Sequence, residues 1–280
     1  MQHYNNHIGA IGVFDSGYGG LTVLKSLTDM LPQYDYVYLG DNARSPYGTR
    51  SYNTVYEYTL QCVAQLFAMG CPLVILACNT ASAKALRTIQ QQDLQHIATS
   101  QHRVLGVIRP TTEVIGNYTK TNHVGILGTN GTITSHSYPI EISHTFPKLV
   151  VHQQACPMWV PLIENNAHNT EGGKYFIKQE ILALLNLHKE IDTILLACTH
   201  YPIIVPIIQQ YLPPHITLIS QGTIVANSLK DYLSRHTTMQ QNLTSNGTQH
   251  YYTTDDAKLF NEKSGLFLGK NIVSTKIEIE

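Results

Sequence analysis

The sequence is poor in charge. Only 13% of its 280 residues are Asp, Glu, Lys or Arg, which is about half of the fraction usual in globular proteins. The formal net charge is -1 with histidine neutral, so neither sign is in marked excess. A surface that binds nucleic acid or anionic lipid needs concentrated positive charge. The composition therefore predicts no nucleic-acid partner and no membrane partner.

Secretion signals, long apolar runs and metal-binding cysteine pairs are also missing. The first residues, Met1–His7, are polar and lack a basic segment followed by an apolar one. No apolar run approaches the length that spans a membrane. The five cysteines are odd in number and show neither CxxC nor a Cys/His spacing typical of zinc. These absences predict a reduced, cytoplasmic protein without a bound metal.

One short pattern occurs twice in the chain. Residues 74–83 read VILACNTASA, and residues 194–202 read ILLACTHYP. Each apolar run ends at a cysteine, Cys78 or Cys198, and small polar residues follow at once. The pattern predicts a buried strand that presents its cysteine at the start of a helix. Open α/β sheets bind ligands at this place, and a helix N-terminus favours a thiolate.

Glycine-rich turns precede both cysteine strands at similar separations. One strand ends in DSGYGG at residues 15–20, and another ends in GTNGT at residues 128–132. Such turns let the backbone approach a ligand, and helix N-termini offer N–H groups to anions. The glycines do not match the dinucleotide fingerprint, and no GK[ST] motif occurs, so nucleotide binding is disfavoured. The repetition predicts two related α/β lobes whose half-sites face one ligand.

Two equivalent thiols suit a reaction that is itself nearly symmetric. A nucleophilic thiol needs only one cysteine with a base, and redox cysteines usually lie close in sequence. In racemisation one base removes a proton from one face of a carbon, and the other delivers a proton to the opposite face. Because a thiol has an ordinary pKa of about 8.5, one must be made a thiolate while the other stays protonated. Asp15 and His200 are candidates for tuning these two pKa values.

Small polar side chains at the strand ends are candidate ligands for substrate carboxylates, together with backbone N–H groups at the helix starts. These candidates are Ser16, Asn79, Thr80, Thr129, Thr132 and Thr199. A hydroxyl or carboxylate after a strand is also a common helix cap. Asp15, Ser16, Thr80 and Thr199 therefore keep capping as an alternative role.

Several longer stretches carry a resemblance to a known family. They are GVFDSGYGGLTVL at 12–24, YLGDNARSPYGTRS at 38–51, ACNTASA at 77–83, GTNGTITSHSY at 128–138, CPMWVPLIE at 156–164 and ACTHYP at 197–202. In this order they resemble the glutamate racemases, within the cofactor-independent amino-acid racemase superfamily. The tail YYTTDDAKLF…FLG at 251–269 resembles the family's ending. The resemblance therefore covers nearly the whole chain.

The resemblance implies interconversion of L- and D-glutamate without pyridoxal phosphate or any other cofactor, supplying D-glutamate for peptidoglycan in the bacterial cytoplasm. It implies that Cys78 and Cys198 are the two acid/bases. It also implies that Asp15, Glu164 and His200 assist proton transfer or orientation. The residues that it assigns to substrate binding are Asp15, Ser16, Tyr47, Gly48, Asn79, Thr80, Thr199 and His200.

In fold, the resemblance implies two pseudo-symmetric α/β lobes with central, mainly parallel sheets and the active site in the cleft between them. The chain returns to the first lobe near its end. We expect a first lobe of residues 1–102 plus 214–280 and a second lobe of residues 103–213. The expected partner is a small-molecule substrate, glutamate, and the assembly of two copies into a homodimer is left open.

One turn departs from the resemblance, and two other functions stay open. Relatives commonly carry Asp-Ser-Gly where this chain has Ser220–Gly222, so no role is assigned to that turn. Cys62, Cys71 and Cys156 are interpreted as small core residues. The alternatives are a racemase of the same superfamily acting on aspartate or a hydantoin, and a non-catalytic dicarboxylate-binding protein. A binding protein need not keep both cysteines, which favours an enzyme.

Overall fold

The computed structural model describes residues 7–99 and 101–279. Within them the strands β1 to β10 lie at Ile11–Asp15, Tyr36–Gly40, Leu73–Leu76, Arg103–Gly106, His123–Gly128, Val150–Ala155, Thr193–Ala197, Thr217–Ser220, Gln249–Thr253 and Ser274–Lys276. The helices α1 to α14 lie at Leu21–Met30, Tyr52–Ala68, Asn79–Lys84, Leu86–Thr88, Leu94–Ile97, Ile108–Thr112, Asn130–Thr134, Ser137–Thr145, Trp159–Glu164, Glu171–Leu187, Val205–Gln209, Gly222–Arg235, Thr237–Gln241 and Ala257–Leu268.

The strands form two sheets in which every observed pairing is parallel. The first sheet has the order β10-β9-β2-β1-β3-β4, and the second has the order β6-β5-β7-β8. Parallel neighbours need long crossovers, and helices such as α2 and α10 supply them. Strands β1, β2, β3 and β7 are buried along their whole length, as in sheets covered on both faces. The expected two-lobed α/β fold is confirmed.

Local sequence signals set the ends of the helices that flank these sheets. The hydroxyl of Ser51 accepts a hydrogen bond from the N–H of Thr54 and caps α2, and Thr170 caps α10 in the same way. Asp256 caps α14, which ends at Gly269 in the left-handed conformation. These polar caps satisfy N–H groups that the helices themselves leave unpaired.

One cluster of buried apolar residues spans both lobes. Helix α1 packs against α12, and its buried Leu24 and Leu27 belong to the same hydrophobic cluster as Val225 and Leu229 of α12. That cluster also includes Leu196 of β7 in the second sheet. The chain therefore leaves the second sheet through α12 and returns to pack on the first.

The sheets divide the chain later than the expected lobe boundaries at 102/103 and 213/214. Strand β4, which begins at Arg103, pairs with β3 of the first sheet. Strand β8, which begins at Thr217, pairs with β7 of the second sheet. Both are four-residue edge strands, and only their pairing partners decide their lobe. A local pattern does not carry that information.

Three polar tracts contain more helix than their composition indicates. The tract 236–250 has a polar composition typical of a surface loop, yet it contains α13, whose Met239 is buried against the core. Helix α10 begins inside the polar tract 165–173, and α5 lies inside the polar tract 93–102. The N-terminal residues 1–6, expected to carry no signal, lie outside the described residues, as does residue 280. Among the described helices, none is long and apolar enough to cross a membrane.

Candidate active site

The two repeated cysteines meet in one cleft at the C-terminal ends of the two sheets. Cys78 follows β3 and Cys198 follows β7, and both line the same cavity. Each is 6% exposed. The cavity volume is about 80 Å³. A cavity of roughly 10–15 Å³ already holds one water molecule. The cleft therefore has room for a small molecule between the two thiols.

Most of the residues predicted for the site form the wall of this cleft. They are Ser16, Tyr47, Gly48, Cys78, Asn79, Thr80, Thr129, Cys198, Thr199 and His200. The remaining predicted residues, Asp15, Thr132 and Glu164, lie behind the wall and contact residues that line it. No lysine or arginine occurs among the lining residues that the structure describes. The nitrogens of His200 contact Cys198 and Glu164, so hydroxyl, amide and backbone N–H groups are the remaining donors available to an anion.

Cys78 occupies the N-cap position of α3. The N–H of Ala81 points at its sulfur from 3.5 Å, and the thiol lies 3.5 Å from the hydroxyl of Ser16. Burial, and after it the nearby Asp15 carboxylate, raise the pKa of Cys78 to about 12, although the contacts with Ser16 and with the N–H of Ala81 oppose the rise. In the free protein Cys78 is therefore a thiol, the form that can deliver a proton.

Cys198 faces a cation. Nδ1 of His200 lies 3.9 Å from the Cys198 sulfur, and Nε2 of His200 lies 2.8 Å from Oε1 of Glu164. Burial opposes protonation of His200, but its contacts with Cys198 and Glu164 outweigh burial and raise the pKa to about 10. A protonated imidazole stabilises a neighbouring thiolate. The two cysteines thus sit in opposite electrostatic settings, as an acid and base pair requires.

Asp15 lies behind the cleft wall, whereas the sequence analysis expected it to contact substrate. It is completely buried, and one carboxylate oxygen accepts a hydrogen bond from the N–H of Gly17 at 2.9 Å. The other oxygen accepts from the hydroxyl of Thr199 at 3.3 Å. Burial raises the pKa of Asp15, while His200 and these hydrogen bonds lower it. Asp15 therefore joins the first glycine-rich turn to the segment Cys198–His200 after β7, here called the Cys198 loop.

Gly19 lets the same two segments approach closely. A Cβ atom at this position would lie 2.3 Å from Oγ1 of Thr199 and 2.4 Å from Nδ1 of His200. The hydroxyl of Thr22 donates to the carbonyl of Thr199 at 2.8 Å across the same contact. The turn after β1 in the first lobe thus fixes the loop that carries Cys198 in the second.

Three threonine hydroxyls connect the lobes on the other side of the cleft. Oγ1 of Thr80, from the first lobe, lies 2.9 Å from Oγ1 of Thr129 and 3.4 Å from Oγ1 of Thr132, from the second. The N–H of Gly131 donates to the carbonyl of Gly48 at 2.8 Å. Thr129 also caps α7 by accepting from the N–H of Thr132. The capping role and the cleft position of Thr129 therefore coexist.

The sequence analysis assigned no role to Gln221, which the structure places against the site. Its side chain is 5% exposed, and its Oε1 accepts from Nδ2 of Asn79 at 2.8 Å. Its Nε2 donates to the hydroxyl of Tyr138 at 2.7 Å, and that hydroxyl donates to Oδ1 of Asn79. Both ends of the Asn79 amide are thus held. Gln221 directly follows β8, and parallel sheets bind ligands at such strand ends. This position after a strand is the one sequence signal that could have indicated a role for Gln221.

Apolar residues complete the wall of the cleft. Cys156, interpreted as a core residue, is 1% exposed and also lines the cleft beside Pro157, Val160 and Pro161. Sequence patterns do not separate these two roles, because a buried residue in a cleft wall has the same local pattern as a core residue.

The side chain of Tyr47 is held from behind. Its hydroxyl donates to the buried carboxylate of Asp41, which also accepts from Nε of Arg44 at 2.7 Å. Arg44 lies 4.2 Å from the ring centroid of Tyr58. This network fixes the loop that carries Tyr47 and Gly48 over the cleft.

Comparisons with known proteins agree with this geometry. The model of the Asp/Glu/Hydantoin racemase family matches residues 11–229. The glutamate racemase of Enterococcus faecalis is 36% identical over 271 residues, covering 96% of this chain and 96% of the relative. That of Chlorobaculum parvum is 35% identical, covering 99% of this chain and 98% of the relative.

Solved structures show the same fold. A glutamate racemase isoform from Bacillus anthracis aligns with a TM-score of 0.87 and 32% identity over 98% of each chain. The glutamate racemase of Francisella tularensis, solved in complex with D-glutamate, aligns with a TM-score of 0.84 and 31% identity over 98% of each chain.

Two parallel-sheet lobes with a cysteine from each at a shared cleft define a two-lobed α/β racemase. The chain belongs to the Asp/Glu/Hydantoin racemase family. Its full-length relatives named above are glutamate racemases, which are isomerases.

Proposed function

We propose that this protein interconverts L- and D-glutamate by proton transfer between Cα and two cysteine thiols. The observation that carries the proposal is the placement of Cys78 and Cys198, one from each lobe, in the wall of one small cleft. Near-full-length similarity to glutamate racemases supports glutamate as the substrate. The similar Francisella tularensis structure, which contains D-glutamate, supports the same choice.

In this mechanism the two thiols exchange roles with the direction of reaction. In one direction the Cys198 thiolate, beside the His200 imidazolium, removes the Cα proton, and the Cys78 thiol protonates the opposite face. In the reverse direction the Cys78 thiolate left behind removes the proton and the Cys198 thiol returns it. One proton leaves and one arrives, so no electrons are transferred and the route balances without a redox or carbonyl cofactor.

Substrate carboxylates are held by neutral donors in this proposal. Ser16, Asn79, Thr80 and Thr199 line the cleft beside the thiols, and the start of α3 adds backbone N–H groups. Several such donors bind a carboxylate without a cation, and helix N-termini favour negative charge.

The supporting roles go to residues behind the wall. Glu164 keeps His200 protonated, and Asp15 positions Thr199 and the Cys198 loop. Thr132 supports Thr129 at the joint between the lobes.

The test follows the circular dichroism of D-glutamate in D2O, with mass spectrometry of the product. We expect decay of the signal to zero, one deuterium at Cα, and the same end point from L-glutamate with no added cofactor. Turnover of aspartate or a hydantoin with glutamate inert would select the other racemases of the family. Glutamate binding by calorimetry without deuterium at Cα would select the non-catalytic binding protein.

The sequence analysis expects a first lobe of residues 1–102 plus 214–280 and a second lobe of residues 103–213. We propose instead that the lobes divide where the sheets do, at residues 107–108 and after Ser220, so that α12 packs back on the first lobe. The remaining expectations stay predictions. The protein is expected to work in the bacterial cytoplasm and to supply D-glutamate for peptidoglycan. The homodimer is checked by light scattering of the purified protein.

A further inference from the structure

Three imidazoles converge in the second lobe, at the edge of the sheet away from the cleft. His123 begins β5, His152 lies in β6, and His188 follows the last residue of α10. One nitrogen from each of the three lies within 4.8 Å of the others. Gly128, at the other end of β5, lies near the cleft. The five residue steps from His123 to Gly128 span roughly 17 Å in a strand. The histidine cluster is therefore distinct from the candidate active site.

The fold explains why these residues meet although their spacing in sequence shows no metal motif. In the register of β5 and β6, His152 pairs with Gly125, two residues after His123, so both histidines point to the same face. A Cβ at Gly125 would lie 2.7 Å from Leu184 of α10, so α10 covers this face. The end of α10 then delivers His188 onto the other two rings.

The nitrogens are close to the separation that a metal ion requires. Nδ1 of His123 and Nε2 of His152 are 3.1 Å apart, and two nitrogens bound to tetrahedral zinc lie about 3.3 Å apart. The His188 ring stacks on His123 with centroids 4.0 Å apart. Its Nδ1 accepts only a 3.3 Å hydrogen bond from the N–H of Glu190. A rotation of the His188 ring would bring its nitrogen to a shared ion.

The surroundings of the three histidines also favour a cation. Oε2 of Glu190 lies 3.6 Å from Nε2 of His123. A carboxylate that receives the outer N–H of a ligating histidine orients the ring and raises its basicity.

We propose that His123, His152 and His188 form a binding site for a divalent late first-row metal ion, of which zinc is the best match. Imidazole nitrogens prefer such ions, and three histidines leave a fourth position for water. The ion ties the end of α10 to β5 and β6, so its role is to stabilise the second lobe. The sequence analysis expected no metal, because the chain shows neither CxxC nor a Cys/His spacing typical of zinc. The three histidines of this cluster lie far apart in sequence and meet only in the fold.

The test is a calorimetric titration of the purified full-length protein with Zn²⁺. We expect one equivalent to bind and to raise Tm by several degrees at saturation. His152→Ala and His188→Ala should each weaken binding more than tenfold, and Glu190→Gln should weaken it roughly 10- to 100-fold. His215→Ala, at an exposed histidine outside the cluster, is the matched control and should bind as the wild type does.

A cobalt titration separates this site from the cleft thiols, which also bind metals. The histidine site predicts Co²⁺ ligand-field bands without a sulfur-to-metal charge-transfer band, and these should persist in a Cys78→Ser/Cys198→Ser double variant. Absence of stoichiometric binding would overturn the proposal. So would binding that is unchanged in both histidine variants, or binding that disappears in the cysteine double variant.

Discussion

Substitution of Gly19 by alanine tests whether the close approach of the two lobes positions the Cys198 loop. The added Cβ would meet Oγ1 of Thr199 at 2.3 Å and Nδ1 of His200 at 2.4 Å. Ordinary contacts begin near 3.4 Å, so the Cys198 loop must retreat by about 1 Å. A displacement of that size in a catalytic constellation costs on the order of 100-fold in rate.

The assay is steady-state racemisation of both glutamate enantiomers, followed by circular dichroism. We expect kcat to fall about 100-fold in both directions, with a far-ultraviolet spectrum like that of the wild type. Gly172→Ala is the matched control, because a Cβ there meets nothing within 4 Å and alanine is favoured over glycine in a helix. Wild-type kinetics in Gly19→Ala, with unchanged Tm, would refute the positioning role of this contact.

Two further substitutions probe the supporting residues. Burial lowers the pKa of His200, but its contacts with Cys198 and then with Glu164 outweigh burial and raise the pKa from 6.5 to about 10. The stability and activity that depend on the imidazolium are therefore fully present below pH 6.5 and are lost as pH rises through about 10. Glu164→Gln removes the Glu164 charge, so we expect this loss at lower pH in the variant. If kcat/KM of the variant falls at the same high pH as that of the wild type, the result contradicts a role for Glu164 in keeping His200 protonated. Gln221→Leu leaves the Asn79 amide without its buried acceptor, and we expect a loss of about 1–3 kcal/mol in the free energy of unfolding and a higher KM. Urea denaturation that matches the wild type would show that Gln221 does not hold Asn79.

The cysteine pair could be predicted because its signal is local. An apolar run that ends in a cysteine and continues into small polar residues indicates a buried strand and the position where that strand ends. The chain contains this pattern twice. Parallel strands then bring such ends to one edge of a sheet, whatever the rest of the fold does. The local signal therefore predicts that Cys78 and Cys198 each follow a buried strand, and in the structure they follow β3 and β7.

The remaining features depend on contacts between distant parts of the chain. Whether Asp15 faces the cleft or supports it depends on Thr199, which lies 184 positions away. The lobe to which β4 and β8 belong depends on which strand has a free edge. Gln221 holds Asn79 only because α12 and α3 converge on the same cleft. Sequence patterns indicate burial and local structure, but they do not indicate which distant residues come into contact.

The central claim is that both thiols act on Cα, and the separate Cys78→Ala and Cys198→Ala variants test it most directly. The measurement is the rate of racemisation of each glutamate enantiomer, with deuterium at Cα counted in D2O. The account predicts that each variant loses at least about 100-fold in racemisation, while glutamate still binds by calorimetry. Racemisation at the wild-type rate in either variant would contradict the two-thiol mechanism.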